Sequence, residues 1–358
     1  MAYTTINKPS GYFNTLTYTG DGTDNRSITG LGFQPDFCWF KDRTGANSHN
    51  LFDSVRGVNK PLISNSTSAE LTGFNLFNSF DSDGFTISGA TADNTNFNGN
   101  NFVSWSWLAD GTGVSNTDGS IASTVSANTT SGFSIVTYTG TAVSGATVGH
   151  GLGVAPSVVI LKNRTGYDWQ SYWSALGNTR SMVLNSNSTG NTGTGFWNNT
   201  NPSSSVVTLG NDGSHSGNCV MYCFAEKKGF SKFGSYTGNG NNDGTFVYLG
   251  FKPAFVMVKN TVNNARNWTI IDNKRNTFNP ETQWLYPNTS DIELTASSYP
   301  VDFVSNGFKI RTGVASYFNT SGENYIYMAF AESPFVTSTG IPTCAKWFVL
   351  IQIVIMKL

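Results

Sequence analysis

Charge is scarce in this chain, where Asp, Glu, Lys and Arg make up only 12% of 358 residues, against about 25% in ordinary soluble domains. Neutral polar groups must therefore wet the surface, and abundant Asn, Thr, Ser and Gly supply them. The net charge of −1 gives no long-range field of either sign, which argues against nucleic acid and anionic membranes as partners. Four cysteines make no disulfide framework. Cys219 and Cys223 stand four apart in an expected strand, about 13 Å along it, and so cannot bridge each other. The cysteines read as small buried hydrophobes.

Histidine is equally sparse. His49, His150 and His215 share no metal-ligand spacing and read as ordinary surface or turn residues, so neither metal nor cofactor is expected. Asp81-Ser82-Asp83-Gly84 begins like a calcium loop but lacks the later ligands, and it reads as a β-turn. The glycine-rich stretches at 20–25 and 238–244 precede no helix and carry no Gly-Lys-Ser/Thr ending, so they read as hairpin tips. No catalytic carboxylate pair stands out among 22 acidic residues. The N-terminus has no apolar core of a signal peptide. Trp347–Met356 is apolar but about half the ~20 residues a spanning helix needs. Its β-branched content suggests a docking strand, with Trp347, Phe348, Ile351 and Ile353 as candidate assembly residues.

What the chain does have is aromatic residues, at 14%, placed in a threefold repetition. A Gly-aromatic-x-Pro phrase leading through an apolar run to Lys appears as Gly32-Phe33-Gln34-Pro35 to Lys41, more loosely around Pro156 and Lys162, and as Gly250-Phe251-Lys252-Pro253 to Lys259. A Tyr-Thr-Gly signal opens each unit at Tyr18, Tyr138 and Tyr236, and an alternating run closes each at Trp107, Phe224 and Phe330. Short runs rich in Val, Ile, Tyr, Phe, Trp and Thr between Gly/Asn/Asp/Ser clusters read as strands, and no capped helix of more than about two turns is apparent.

The expected fold is all-β: three tandem homologous antiparallel β-sandwich, jelly-roll-like domains of about 100 residues. The expected boundaries are an N-terminal arm at 1–10, repeats at 11–110, 131–228 and 229–335, a Gly/Ser/Thr-rich linker at 111–130 that would act as a hinge, and a C-terminal tail at 336–358. The apolar runs Phe37–Phe40, Val158–Leu161 and Phe255–Val258 suit strands covered on both faces. Lys41, Lys162 and Lys259 then read as snorkelling strand ends. Asp53 with Arg56 and Asp272 with Arg275 recur as candidate loop-closing pairs, and the second unit has Trp173-Ser174-Ala175-Leu176 there. Trp169, Tyr172, Trp173 and Trp268 are candidate ligand-binding aromatics that could stack on sugar rings.

The Gly32–Lys41 phrase, Leu51–Gly57, Ser79–Phe85 and Phe230–Gly240 together resemble a repeated domain of uncharacterised function in tail and virion structural proteins of marine bacteriophages, including cyanophages and pelagiphages. The resemblance covers about residues 8 to 340. It implies a non-enzymatic virion protein, assembled in the host cytoplasm and exposed outside the cell. Its partners would be other virion proteins and a host-surface glycan or protein. A tail fibre adhesin is the first expectation, a capsid or tail decoration protein the second and a glycan depolymerase the third. A homotrimer and a pseudo-threefold monomer are both compatible with the sequence.

Overall fold

A computed structural model describes residues 3–89, 94–313 and 317–343. The chain is almost entirely antiparallel β-structure. Each repeat builds one inner sheet by the same path, in which the opening strand pairs with the closing strand and the closing strand with the strand of the Lys phrase. In the first repeat the order is Phe13–Thr19, Asn101–Trp107, Phe37–Asp42, Asn50–Asp53. In the third it is Ser231–Thr237, Asn324–Pro334, Phe251–Asn260, Thr269–Asp272. The second uses Phe133–Thr141, Ser216–Phe224, Val158–Asn163 and Gln170–Trp173 in the same way, then extends on both sides to eight strands.

The Lys-phrase strands are buried along both faces because alternate side chains serve two cores. Phe37 and Trp39, Val158 and Ile160, and Phe255 and Met257 all point into one large cluster shared by the three repeats. Cys38 and Phe40, Val159 and Leu161, and Val256 and Val258 point outward into three separate clusters. Small outer sheets cover those clusters: Arg26–Thr29, Gly84–Ile87 and Phe77–Asp81 in the first repeat, and Phe246–Tyr248, Gly307–Ile310 and Val301–Val304 in the third. In the second repeat Thr147–Gly149 pairs with Val206–Thr208 in that place. Gly84 and Gly307 lie so close to the facing strand that an added Cβ would stand 2.0 Å from the carbonyl oxygens of Ile28 and Val247. Glycine at these two turns is a steric requirement.

The closing aromatics meet at the centre. Ring centroids of Trp107 and Phe224 are 6.2 Å apart, Phe224 and Phe330 6.0 Å, and Trp107 and Phe330 5.6 Å. This triangle marks a pseudo-threefold axis, and the inner faces of all three sheets pack around it. The repeats are thus not separated by independent inner cores, as a string of sandwiches would be. Each inner face finds apolar partners in the other two repeats.

The expected linker is also structured. Ser123–Asn128 pairs with Phe133–Thr141, and Val114–Asn116 pairs with Ser123–Asn128, so the segment adds two strands to the second sheet. Its alternation places Val125 in the second outer cluster and Thr124 in solvent. The small polar residues that suggested flexibility are the solvent face of a strand pair. Asp110 N donates to Ser126 Oγ at 2.8 Å, which ties the hinge expected here to the sheet. The N-terminal arm is docked as well: Ile6 enters the shared core and Tyr3 Oη donates to Gly250 O at 2.8 Å.

Candidate functional site

The recurrent polar residues gather at the boundaries between repeats, on the axis-facing side of the sheets. Asp53 ends a strand opposite Phe37, and the following turn carries Arg56 back over it. Asp53 accepts from Arg56 N at 2.8 Å and from Arg56 Nε at 2.5 Å. Arg56 Nη1 continues to Glu70 at 2.8 Å, and Glu70 receives Arg164 of the second repeat in a two-pronged contact at 2.8 and 2.6 Å. Tyr222, also of the second repeat, donates its hydroxyl to Asp53 Oδ2 at 2.7 Å.

The same chain of charges joins the third repeat to the first. Asp272 accepts from Arg275 Nε at 2.6 Å, Arg275 reaches Glu293 at 3.0 Å, and Glu293 holds Arg43 at 2.9 and 2.7 Å. Trp105 Nε1 donates to Asp272 Oδ2 at 3.0 Å, in the role of the Tyr222 hydroxyl. Burial works against the Arg56 and Arg275 charges, but Asp53 and Glu70, and Asp272 and Glu293, outweigh it and hold both guanidiniums above their ordinary values. Burial would raise Glu70, yet its two arginines bring the carboxyl below its ordinary value. Each junction carries two positive and two negative groups. Such a saturated chain fastens the repeats and has no carboxylate left for acid–base work.

The lysines of the repeated phrase lie fully inside, which corrects the expectation of snorkelling strand ends. Each ammonium gives its three protons to backbone carbonyls, one of which belongs to another repeat. Lys41 reaches Asp42 O (2.7 Å), Gly45 O (3.2 Å) and Ser290 O (3.2 Å). Lys162 reaches Thr67 O (3.0 Å), Gly166 O (3.2 Å) and Tyr167 O (2.5 Å). Lys259 reaches Asn187 O (3.0 Å), Asn260 O (2.9 Å) and Arg266 O (2.8 Å). Since Lys has three donors and no acceptor, these sites are complete without an anionic ligand.

The aromatic candidates for sugar stacking are also inside: Trp169, Tyr172, Trp173 and Trp268 are all buried. Trp169 Nε1 donates across a boundary to Ile63 O at 2.8 Å, and Trp268 Nε1 to Val183 O at 3.0 Å. His49 takes the equivalent place in the first repeat. Its Nδ1 accepts from Trp39 Nε1 at 2.9 Å, so Nε2 carries the proton and donates to Tyr286 O at 3.0 Å. The Trp173 and Trp268 rings lie tilted against each other with centroids 5.5 Å apart, and the Tyr172 hydroxyl bonds Asn201 at 3.2 Å. A ligand has no access to these four rings. The histidines differ from expectation too: His49, His150 and His215 are buried, and burial lowers all three below the ordinary imidazole value.

Cys38, Cys219 and Cys223 are free and buried. Among the described residues no group of three or more His, Cys, Asp or Glu is placed to hold a metal ion. No described helix is long and apolar enough to cross a membrane. Trp347, Phe348, Ile351 and Ile353 lie outside the described residues.

Sequence reasoning missed Glu70, Glu293, Arg43, Arg164, Tyr222 and Trp105. One signal was available: Lys41-Asp42-Arg43-Thr44-Gly45 and Lys162-Asn163-Arg164-Thr165-Gly166 share an Arg that Lys259-Asn260-Thr261 lacks. Glu281 was missed as well. It is 3% exposed, and its carboxyl is pushed up to about 8 by burial and by the negative charge of Asp272. On the outside, one polar pair recurs at three solvent-facing positions: Thr19 with Asn101 (2.9 Å), Thr139 with Asn218 (3.4 Å) and Thr237 with Asn324 (2.8 Å).

No curated protein and no solved structure matches this chain. A family model does match, over residues 8–334, and its span takes in all three repeats and both charged junctions. The chain belongs to the family described as a domain of unknown function, DUF7483.

Proposed function

We propose that this chain is a non-enzymatic structural protein of a bacteriophage virion, a tail fibre or other surface adhesin that presents polar loops to a host-surface glycan or protein. The phage context comes from the resemblance carried by the Gly32–Lys41, Leu51–Gly57, Ser79–Phe85 and Phe230–Gly240 segments. The observation that carries the display role is the closed ring of buried bonds between repeats, in which Lys41, Lys162 and Lys259 each reach a carbonyl of another repeat. Such a ring makes a stiff platform, and the side chains free to recognise anything are the differing loops and outer strands around it.

Fluorescently labelled protein is expected to stain host cells and to release no reducing ends from host polysaccharide. Absence of staining would overturn the attachment reading, and sugar release would overturn the non-enzymatic one. The threefold recurrence of the exposed Thr–Asn pairs favours a second reading, a decoration protein seated on other virion subunits. Binding to purified capsids without binding to cells would select it.

A further inference from the structure

The outer sheets are where the repeats diverge on the solvent side. In each repeat the first outer strand buries one aliphatic residue: Ile28, Val148 or Val247. Each of these stands opposite a buried residue of the neighbouring strand, respectively Phe85, Val207 and Phe308. The two residues flanking it point outward. They are Ser27 and Thr29 in the first repeat, whereas in the second Thr147 is half-buried and the Gly149 position is covered by Asn116. In the third they are Phe246 and Tyr248, 44% and 50% exposed.

The surroundings of this aromatic pair are polar. Phe246 stands opposite Lys309, which stands opposite Asp302, while Tyr248 stands opposite Gly307. An added Cβ on Gly307 would meet Cε2 of Phe246 at 3.1 Å, so the ring of Phe246 leans over a strand position that has no side chain. Lys309 pairs with Asp243 at 2.7 Å. Lys232 donates to Tyr248 O at 3.0 Å, and its ammonium sits 5.3 Å from the centre of the Tyr248 ring.

We infer that Phe246 and Tyr248 form a stacking platform for a neutral saccharide. Rings two residues apart on a strand are separated by about 6.6 Å, and a pyranose offers such a platform an apolar C–H face. Lys309, Asp243 and Asp302 stand around the pair to bond the sugar's hydroxyl groups, while the Tyr248 hydroxyl is shared with Tyr3. Size argues against a protein occupant: two half-exposed aromatics offer about 200 Å² of ring surface, whereas a stable protein interface takes about 800 Å² from each side. A nucleobase could also stack there, but it would arrive with a phosphate backbone that needs a basic groove. Here acidic Asp243 and Asp302 stand beside the basic side chains, on a chain of net charge −1. The inference rests on the attachment reading for its ligand, a host-surface glycan.

Full-length protein is titrated calorimetrically with cellohexaose, laminarihexaose, maltohexaose and mannohexaose, and with hexagalacturonate as a charged comparison. At least one neutral hexasaccharide is expected to bind, and Phe246→Ser with Tyr248→Thr is expected to weaken it about tenfold or more. That double variant installs the residues the first repeat carries at the same strand positions, and an unchanged melting temperature verifies its fold. Absence of binding by all four neutral sugars, a preference for hexagalacturonate, or equal binding by the double variant would overturn the platform. Staining of host cells in parallel separates the two proposals. Wild-type protein that binds a hexasaccharide but not cells keeps the platform and removes attachment. Cells stained equally by the double variant keep attachment and remove the platform.

Discussion

The Tyr222 hydroxyl donates to Asp53 Oδ2 across a repeat boundary at 2.7 Å, and Trp105 Nε1 does the same for Asp272 at 3.0 Å. Tyr222, Trp105 and Met328 occupy one position of the repeat, facing Ile160, Trp39 and Met257 in their own sheets. Asp53, Asp272 and Trp173 occupy another, facing Phe37, Phe255 and Val158. Donor and acceptor are therefore present together at two junctions and absent together at the third, where Met328 and Trp173 lie in the shared apolar core. A buried carboxylate without its donor, or a donor without its carboxylate, would be penalised, so the two positions differ as a pair.

Removing both members of this pair is predicted to cost less than the sum of removing each. Asp53→Asn is expected to destabilise by about 3 kcal/mol, because the buried Arg56 guanidinium loses its nearest carboxylate and keeps only Glu70 as a charged partner. Tyr222→Phe should cost about 1.5–3 kcal/mol, the worth of a hydrogen bond to a charged group. Urea unfolding of the two single variants and the double variant should show the Tyr222 effect shrinking in the Asp53→Asn background. Strict additivity would mean that the 2.7 Å contact contributes no coupling.

The pH dependence has two limbs of opposite sign. Burial pushes Lys41 and Lys162 down to about 8 and Lys259 to about 7, while the unfolded chain keeps the ordinary ~10.4. The unfolded state then holds more protons, so stability rises as pH goes from about 7 to about 10. Glu281 acts in reverse. Burial and the charge of Asp272 push it up to about 8, above an unfolded ~4.3. The folded state keeps the extra proton, so this group makes stability fall as pH rises from about 4 to about 8. Because the lowered His49, His150 and His215 raise stability with pH below about 6.5, the two limbs are read from urea midpoints of variants against the wild type from pH 4 to 10. Glu281→Gln should flatten the acid limb and Lys259→Met part of the alkaline one.

The shared core predicts one cooperative unfolding event. Each inner sheet buries its apolar face against the other two, so no repeat can melt without exposing its neighbours. Calorimetry should give a single transition with matching calorimetric and van't Hoff enthalpies. Separate transitions for the three repeats would contradict the central triangle of Trp107, Phe224 and Phe330. Residues 123–128, paired in the second sheet, should resist thermolysin until that global event.

Changing Trp169 to Phe keeps most of the ring but removes the Nε1 bond to Ile63 O. The Ile63 carbonyl then keeps only the Ser66 N–H at 3.3 Å, and the cost should be about 1 kcal/mol. His49→Phe is predicted to cost more, because the buried Trp39 Nε1 loses its acceptor while Tyr286 O keeps only the Thr289 N–H. Equal losses for the two variants, read from urea midpoints at constant slope, would argue against the two-sided role of His49.

Much of the inner architecture was legible in local pattern. The Gly-to-Lys phrase, the opening Tyr and the closing aromatic mark strands that the structure pairs in the same order in each repeat. Continuous apolar runs correctly announced strands with two covered faces, because strand periodicity is written in neighbouring residues. The roles of Lys41, Trp169 and Trp268 were not legible, since what buries them comes from another repeat, more than 70 residues away in the chain. The 111–130 segment misled for a related reason: small polar residues look alike in a linker and on the solvent side of a strand, and only pairing with Phe133–Thr141 distinguishes them.

The all-β class, the recurrence of the Lys phrase and the residues that build each inner sheet are all written in local spacing and side-chain alternation. The tertiary structure decided which polar groups are buried and what they bond, because burial belongs to surfaces brought together by closure of the ring. It also decided which aromatics remain outside. Trp169 and Trp268 are covered by neighbouring repeats, whereas Phe246 and Tyr248 lie on an outer edge strand that the ring leaves facing water.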